Sequence, residues 1–239
     1  MPTVLDVNGL SKGFTLHHLA KEIAAFDEIS FSVAAGEFLL LKGANGAGKS
    51  TLLRTLYRSY LPQAGVIRFH SDHGPIDLAR AADVDIAHLR RTEIGFVTQF
   101  LTARPRVSAE ALVAEPLRLA GVATPEALDR ARAALETFGV KPELWPAYPT
   151  TFSGGEQQKV NLARTLILPQ KLLLLDEPTA SLDANARAAL VARLAELKAH
   201  GTAVIGVFHH PDDVLHLIDR VVDLTPNAIR EEVRDDVAF

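Results

Sequence analysis

The chain of 239 residues contains no cysteine, a single tryptophan and a single methionine. The lack of cysteine excludes disulfide bonds, thiol nucleophiles and zinc sites with cysteine ligands, although it does not fix the cellular compartment. Long apolar runs are also missing: 48% of the residues are hydrophobic, yet no run approaches the ~18 residues that a membrane-spanning helix needs. A chain of this length can bury a full core, as one large domain or as two lobes.

Basic charge is in short supply as well. The 25 lysines and arginines against 29 aspartates and glutamates leave a formal net charge of -4, which argues against a protein whose main task is to hold nucleic acid. The first residues, MPTVLD, contain neither the basic nor the apolar segment of a signal peptide. We therefore expect a cytoplasmic protein with no nucleic-acid partner and no direct insertion into a membrane.

One stretch organises the rest of the sequence. Residues 43–50, GANGAGKS, match every position of the phosphate-binding pattern G-x-x-x-x-G-K-[ST]. The apolar residues 38–41 precede it as a short buried strand would, and residues 50–60 follow with leucines at helical spacing. Chance would produce the pattern in only about 1% of chains of this length. We name residues 43–50 the phosphate loop and predict that they bind a nucleotide.

The residue types of this loop indicate what each one does. Gly43, Gly46 and Gly48 allow successive backbone N–H groups to turn inward around a phosphate, where a Cβ would collide with the turn or the ligand. The following helix adds the positive end of its dipole. Lys49 is expected to reach the β- and γ-phosphates, and the Ser50 hydroxyl is expected to ligate Mg²⁺.

A second group of polar residues follows buried strands. Residues 172–175 are all leucine and precede Asp176 and Glu177. Neighbouring carboxylates repel each other unless they share a cation, so the pair suggests a metal ligand next to a general base; the alternative is a pair that caps a following helix. Gln99 follows the predicted strand 94–97, and that end of a parallel strand faces the ligand.

The middle of the chain reads as helices. Residues 108–140 are rich in alanine and leucine, with Ser108 and Thr124 placed as caps, and they are predicted to form an inserted helical lobe. Three later residues offer unhindered N–H groups at a helix start and so form a second candidate phosphate site: Ser153, Gly154 and Gly155. We name these three the signature segment.

The first third of the chain is predicted to be mostly strands. Residues 4–8 and 29–33 read as short strands, and residues 10–14 between them read as a turn. This turn carries Phe14, which on its own favours a core phenylalanine. Residues 65–78 read as a hairpin with its turn at 71–74.

Taken together, the motifs resemble the ATP-binding subunits of the ABC superfamily over residues 3–225. The resemblance implies an α/β, P-loop ABC ATPase fold with a mostly parallel core sheet, an antiparallel β subdomain and an inserted α-helical subdomain. It implies a single ABC ATPase domain over residues 1–239. Within it, residues 1–97 and 162–239 would form the nucleotide-binding core with the antiparallel β subdomain, and residues 98–161 the helical subdomain with the signature motif.

The resemblance also implies ATP and Mg²⁺ as ligands and ATP hydrolysis as the activity. The residues expected to hold ATP are Phe14 (stacked on adenine), Gly43, Asn45, Gly46, Gly48, Lys49, Ser50, Thr51, Ser153, Gly154, Gly155, Ser181 and Asp183. The residues expected around Mg²⁺ are Ser50, Gln99 and Asp176. The residues expected to serve catalysis are Glu177 (polarising the attacking water), His209 (holding the γ-phosphate), Gln99 (sensing metal and γ-phosphate) and Lys49.

In the family, the signature segment serves the nucleotide of the opposite subunit, so the resemblance implies a head-to-tail dimer, either a homodimer or a pair with a sister ATPase. Ser181 and Asp183 would lie in the loop that crosses this interface. The chain departs from the commoner signature at Phe152, Glu156 and Lys159, where leucine, glutamine and arginine are usual. His210 follows His209 where aspartate is common, so the choice between the two histidines stays open.

Finer patterns, among them TLLRTLY at 51–57, VTQFL at 97–101 and TFSGGEQQ at 151–158, resemble the PhnL-type ATPase of the bacterial carbon–phosphorus lyase system. That resemblance implies a sister ATPase and the lyase core complex as partners, in the step that forms a ribosyl triphosphate phosphonate. The alternative is the motor of a membrane transporter of the lipoprotein-release or macrolide-export type, docked around residues 99–106. A chromosome or ribosome factor is disfavoured, because the chain has neither long coiled coils nor a second ATPase module.

Overall fold

The computed structural model describes residues 1–16, 21–98 and 104–224. Nine strands lie in these ranges: β1 (Thr3–Leu16), β2 (Lys21–Ala34), β3 (Phe38–Lys42), β4 (Ala64–Ser71), β5 (Gly74–Asp77), β6 (Ile94–Val97), β7 (Leu172–Asp176), β8 (Ala203–Val207) and β9 (Arg220–Asp223). Six α-helices lie in the same ranges: α1 (Lys49–Leu56), α2 (Asp83–Thr92), α3 (Ala109–Leu119), α4 (Thr124–Thr137), α5 (Gly154–Leu166) and α6 (Ala184–Ala199). Short 3-10 helices cover Pro142–Leu144, Pro149–Thr151 and Pro211–Leu217.

A parallel sheet forms the centre of the molecule, with the strand order β6-β7-β8-β3-β9. Its inner strands are apolar at almost every position because both faces are covered. Successive side chains of a strand point to opposite faces: Phe38 and Leu40 pack with α3 to α6, whereas Leu39 and Leu41 pack with α1, α2 and the antiparallel sheet. The predicted α/β class with a parallel core sheet is confirmed.

The other sheet is antiparallel, with the strand order β2-β1-β4-β5. The predicted hairpin is confirmed, since β4 and β5 pair across a turn at Asp72 and His73. The predicted turn at residues 10–14 is wrong, because β1 continues through it and Phe14 pairs with Ile23 of β2. In place of a turn, the pairing of β1 with β2 contains register shifts. One lies between Lys12 and Gly13, and another lies between Val7 and Leu10, next to Gly9, whose φ is 55°.

The predicted helices between residues 108 and 140 are α3 and α4, which pack on each other and on α5. Ser108 caps α3, as predicted, by accepting a hydrogen bond from the Ala111 N–H. Thr124 is not a cap: it is the first residue of α4, and Ala123 occupies the cap position without a side-chain bond. Within the described ranges, no helix combines the length and the apolar character that crossing a membrane requires.

Candidate active site

The phosphate loop connects β3 to α1, and its glycines are required by their surroundings. Gly48 has a φ of 86°, and a Cβ there would lie 2.3 Å from the Ala25 carbonyl oxygen. A Cβ on Gly43, whose φ is 148°, would lie 2.6 Å from the Leu224 carbonyl oxygen. Only glycine meets both the backbone conformation and the close approach. Contacts from β2 and from the end of β9 therefore fix the shape of the loop.

Lys49 bridges the loop from inside. Its ammonium group donates hydrogen bonds to the carbonyl oxygens of Gly43 at 2.7 Å and Ala44 at 2.9 Å. Asn45 and Gly46 are exposed at the tip, and Thr51 is half-buried in the first turn of α1. The Lys49 ammonium group therefore lies within the backbone loop into which we expect a phosphate to bind.

Ser50 and Asp176 are 126 positions apart in the sequence and meet directly. The Ser50 hydroxyl donates a hydrogen bond of 2.7 Å to Asp176 Oδ1, at the end of buried strand β7. A hydroxyl and a carboxylate are the hard oxygen donors that Mg²⁺ prefers, and Mg²⁺ usually takes its other ligands from phosphate and water. The described residues contain no cluster of three or more acidic, histidine or cysteine side chains that would hold a metal alone. The donor set therefore fits Mg²⁺ bound together with a nucleotide.

Glu177 has a backbone conformation that is uncommon for a residue with a side chain. Its φ is 49°, in the left-handed region, and its N–H donates a 2.9 Å hydrogen bond to the Val207 carbonyl at the end of β8. The carboxylate-bearing residue is half-buried directly after Asp176. Such strain is often found at functional sites, and here it turns the chain sharply at the edge where the phosphate loop begins.

His209 and His210 follow β8 and are both exposed. Their rings touch edge to face with centroids 4.4 Å apart, and Nδ1 of His209 lies 3.0 Å from Nε2 of His210. Because β8 lies between β7 and β3 in the sheet, both histidines emerge between the acidic pair and the phosphate loop. The role predicted for His209 stays a prediction.

Phe14 is 38% exposed on β1 and has partners that the sequence did not reveal. The ring contacts Tyr60 edge to face at a centroid distance of 5.4 Å, and the Lys12 ammonium lies 4.9 Å from its centroid. Lys12 stands two positions before Phe14 and so shares its side of the strand, a signal that alternation provides. Tyr60 comes from beyond α1, and no local pattern points to it. A supported and exposed ring can stack on a base, but that role stays a prediction.

The signature segment lies at the start of α5. Ser153 is the helix cap and forms a capping box with Glu156: the Ser153 N–H and hydroxyl both bond to Glu156 Oε2, at 2.9 and 2.8 Å, and Ser153 Oγ accepts from the Glu156 N–H at 3.3 Å. These bonds from Ser153 lower the pKa of Glu156. Gly154 is exposed, and no atom lies within 4 Å of the position that a Cβ would take there. Ser153 and Gly154 are therefore exposed to solvent, whereas Gly155 is half-buried.

Asp183 caps the next helix. Its Oδ1 accepts a 2.9 Å hydrogen bond from the Ala186 N–H of α6, and its Oδ2 lies 2.5 Å from the Lys159 ammonium. The hydrogen bond from Lys159 lowers the pKa of Asp183. Ser181 is exposed, and its carbonyl oxygen would lie 2.9 Å from a Cβ on Gly155. The structure therefore brings Ser181, Asp183 and the signature segment together.

The predicted site residues thus form two groups. The phosphate loop, Asp176 and Glu177 lie at one edge of the parallel sheet, and no hydrogen bond or ion pair joins the loop to the signature segment within residues 1–16, 21–98 and 104–224. Gln99, predicted to sense the metal, lies outside the described residues. The residues predicted to bind phosphate therefore lie in two separate places on the chain.

Comparison with known proteins identifies the family. The family model described as ABC transporter matches residues 26–180. The chain belongs to the ABC transporter ATP-binding family. As an ABC ATPase, it is a P-loop enzyme that binds and hydrolyses ATP.

Three relatives illustrate the range of the ABC family around this chain. YvrO of Bacillus subtilis, an uncharacterized ABC transporter ATP-binding protein, is 33% identical over 98% of this chain and 99% of its own length. LolD of Geobacter metallireducens, a lipoprotein-releasing system ATP-binding protein, is 40% identical over 77% of this chain and 78% of its own. PvdT of Pseudomonas aeruginosa, a pyoverdine export ATP-binding/permease protein, is 36% identical over 90% of this chain. The matched region covers 32% of the length of PvdT.

The ABC fold is confirmed by solved structures. The dimeric structure of MJ0796, a bacterial ABC transporter cassette, superposes with a TM-score of 0.83 at 25% identity, over 95% of this chain and 96% of that one. A post-hydrolysis dimer of the same cassette, bound to ADP and Pi, gives a TM-score of 0.82 at 25% identity. The related cassette therefore binds nucleotide as a dimer.

Proposed function

We propose that this ABC ATPase is the motor subunit of a membrane transporter and hydrolyses MgATP at the interface of a head-to-tail dimer. One observation carries the proposal: the phosphate loop is joined to Asp176 through Ser50, whereas Ser153 and Gly154 of the signature segment in the same chain are exposed to solvent. A γ-phosphate needs donors on both sides before its transition state is stabilised. A second subunit supplies the missing side.

Within this dimer, the residues take the following roles. Lys49 exchanges its two carbonyl partners for phosphate oxygens. Ser50 and Asp176 would hold Mg²⁺, which would supply positive charge to offset that of the phosphates. Glu177 polarises the attacking water, and His209 holds the γ-phosphate. The partner's signature segment donates N–H groups at the start of α5.

The transporter role rests on two kinds of support. LolD and PvdT are named for lipoprotein release and pyoverdine export, and a cleft of about 140 Å³ lies between the parallel sheet and the helical layer. Aromatic, arginine and aliphatic side chains line it, including Tyr57, Arg90, Arg91, Arg164 and Leu119. Leu119 is 64% exposed beside the cleft. We propose that a cytoplasmic segment of the permease docks there.

Two finer assignments from the sequence remain proposals. The carbon–phosphorus lyase role, with the lyase core complex and a sister ATPase as partners, is the second candidate; it rests on the sequence patterns alone, and none of the three relatives is named for phosphonate degradation. We also propose the division into a nucleotide-binding core (residues 1–97 and 162–239) and a helical subdomain (residues 98–161), supported by the packing of α3, α4 and α5 on one another.

The test uses a Glu177→Gln variant, which retains the shape of the side chain and removes its charge. We expect this variant to bind MgATP and to accumulate as a dimer in size-exclusion chromatography, with turnover at least about 100-fold below that of the wild type. Wild-type turnover in the variant would remove Glu177 as the polarising base. The absence of an ATP-dependent dimer in both proteins would contradict the shared site.

The partner is tested by purifying the Glu177→Gln variant from its native cells with ATP present. Recovery of a permease supports the motor role, whereas recovery of carbon–phosphorus lyase subunits supports the second candidate. A matched bait carries Leu119→Asp in addition, because this exposed side chain borders the cleft and carries no core packing. Loss of the permease from the second bait alone would assign docking to the cleft.

A further inference from the structure

We propose that His210 is a positioning residue for ATP hydrolysis: it donates a hydrogen bond to His209 and leaves the outer nitrogen of the His209 ring as the donor to the γ-phosphate. The inference rests on the proposed function, in which His209 holds that phosphate. It goes further because it chooses between two neighbouring histidines and gives the second one a task of its own.

The two rings meet through different nitrogen atoms. Nδ1 of His209 lies 3.0 Å from Nε2 of His210, and the ring centroids are 4.4 Å apart at an interplanar angle of 62°. Within residues 1–16, 21–98 and 104–224, neither ring has another hydrogen bond. Nδ1 is the ring nitrogen nearer to its own backbone, and Nε2 is the outer one. The contact therefore leaves the outer nitrogen of His209, but only the inner nitrogen of His210, for a ligand.

The backbone on both sides restricts where the two histidines lie. They follow strand β8, whose last residue, Val207, accepts a 2.9 Å hydrogen bond at its carbonyl from the Glu177 N–H. Pro211 comes next, and a residue before proline is restricted to extended backbone. His210 has this conformation, with a φ of -126° and a ψ of 97°. His209 is thus two positions from the residue that contacts the acidic pair, and His210 has little backbone freedom.

The 3-10 helix that follows His210 is anchored to the rest of the molecule. Val214 and Leu217 of this helix are buried in the core that contains α3 to α6. Asp213 of the same helix lies 3.7 Å from Arg187 of α6 in an ion pair. Although both histidines are exposed, the His210 ring therefore projects from a fixed support and can hold its neighbour in one orientation.

The direction of the hydrogen bond follows from what a phosphate requires. A neutral imidazole has one N–H donor and one acceptor nitrogen, and the bond made at one nitrogen determines which of them carries the proton. If His209 donated from Nδ1, its Nε2 would be a bare lone pair that repels phosphate oxygens. If His210 donates from Nε2, His209 accepts at Nδ1 and carries its proton at Nε2. In a neutral pair, only the second arrangement offers the phosphate a donor.

This arrangement affects one step more than the others. Charge on the γ-phosphate oxygens changes in the transition state, and a donor that is already oriented stabilises it without reorganisation at the moment of reaction. Binding of adenine and of the first two phosphates does not involve His209. We therefore expect the loss of His210 to lower kcat and to leave the affinity for ADP unchanged.

The position of the proton can be measured in the nucleotide-free chain. Long-range ¹H–¹⁵N correlation spectra at about pH 8.5, where an ordinary imidazole is neutral, show which nitrogen of each ring is protonated. A His209→Gln variant assigns the His209 signals. We expect a proton at Nε2 of His209 and none at Nδ1. A proton at Nδ1 would overturn the inference whatever the activity of the protein.

Two matched variants at position 210 test the donor itself. His210→Met and His210→Gln have unbranched side chains of similar length, but only glutamine has an N–H that can replace the Nε2 donor. We expect His210→Met to shift the His209 Nδ1 resonance, to lower kcat about tenfold because the ring is no longer held, and to bind ADP within about twofold of the wild type. His210→Gln is expected to restore kcat to within about twofold. Both variants should fold, since the His210 side chain is exposed, and urea unfolding checks this.

A control within the same 3-10 helix separates positioning from a general effect on this segment. His216 is also exposed and lies outside the histidine pair, so His216→Met is expected to leave kcat unchanged. Wild-type kcat in His210→Met, turnover in His210→Gln as slow as in His210→Met, or an equal loss in His216→Met would each overturn the inference.

Failure of the inference and failure of the proposed function give different results. Wild-type protein that neither hydrolyses ATP nor dimerises with it would refute the proposed function. Normal wild-type turnover with no effect of His210→Met would refute only the positioning role of His210.

Discussion

The phosphate loop and the signature segment are both glycine-rich helix starts, yet the chain treats them differently. The loop is enclosed: Ala25 and Leu224 press against its glycines, and Lys49 and Ser50 already have partners within the subunit. In the signature segment, Gly154 is open, with no neighbour within 4 Å of the position that a Cβ would take, whereas Gly155 lies against the Ser181 carbonyl oxygen. Contacts within the subunit thus require glycine at positions 43 and 48. No such contact requires glycine at position 154, and we expect the requirement there to come from the partner's nucleotide.

The largest effect is expected from an alanine in the enclosed region. Gly48→Ala places a Cβ 2.3 Å from the Ala25 carbonyl at a φ of 86°, and the combined strain and overpacking should lower the free energy of unfolding by about 2–4 kcal/mol. Urea unfolding and ATP titration measure the two consequences, lower stability and lost binding. Normal stability together with normal ATP affinity would show that the loop is not constrained as described.

A charge change in the same region comes next. Lys49→Ala removes an ammonium expected to bind two phosphates, a loss of about 1.5–3 kcal/mol or about 10- to 150-fold in ATP affinity. Lys42→Ala is the matched control, because Lys42 is exposed at the end of the strand that leads into the loop. Isothermal titration should show weaker binding for the first variant alone, and equal affinities would exclude Lys49 from the phosphate site.

In the open region, the same kind of alanine substitution should spare the fold. Gly154→Ala meets no neighbour and requires no unusual φ, so the subunit should unfold at the wild-type urea concentration or slightly above it. ATP binding by the separate subunit should stay normal, while ATP-driven dimerisation and turnover fall about tenfold because the methyl group meets the partner's nucleotide. A loss of stability as large as that of Gly48→Ala would contradict the claim that the fold tolerates a side chain at position 154 but not at position 48.

The smallest effect concerns the capping box. Bonds from Ser153 lower the pKa of Glu156 in the folded chain, so their stabilisation is present above the ordinary glutamate pKa of ~4.3 and is lost as the pH falls through the lower folded value. Thermal unfolding from pH 6 to pH 3 should therefore show a steeper fall for the wild type than for Glu156→Gln. The difference should stay below about 1 kcal/mol because the bonds between Ser153 and Glu156 lie at the solvent-exposed surface. Parallel curves would contradict the capping role of the charge.

Local signals in the sequence predicted much of this molecule. The phosphate loop, the leucine strand before Asp176 and the Ser108 cap are each encoded within a few residues, and the structure has them where they were expected. The extent of β1 was missed because pairs such as Phe14 with Ile23 depend on the opposite strand and not on the residues themselves.

The assembly of the site needed information that no single segment holds. Ser50 meets Asp176 only because β7 and β3 lie on either side of β8 in the sheet, and the order of parallel strands is set by crossovers. The Lys159–Asp183 pair likewise depends on how α5 and α6 pack. A lysine in place of the usual arginine was visible as a departure, but its partner was visible only in three dimensions.

The strand order has a consequence for the synthesis of the chain. Among the described residues, β3, which leads into the phosphate loop, pairs only with β8 and β9 in the parallel sheet, and the Leu224 carbonyl oxygen lies close to Gly43, the first glycine of the loop. A nascent chain that stops before residue 203 therefore offers β3 no neighbour in that sheet. Contacts between segments so distant in sequence form late and slow folding. The phosphate loop, although it precedes the other nucleotide-binding motifs, is then among the last to take shape, and ATP cannot assist folding before residues 203–224 have been synthesised.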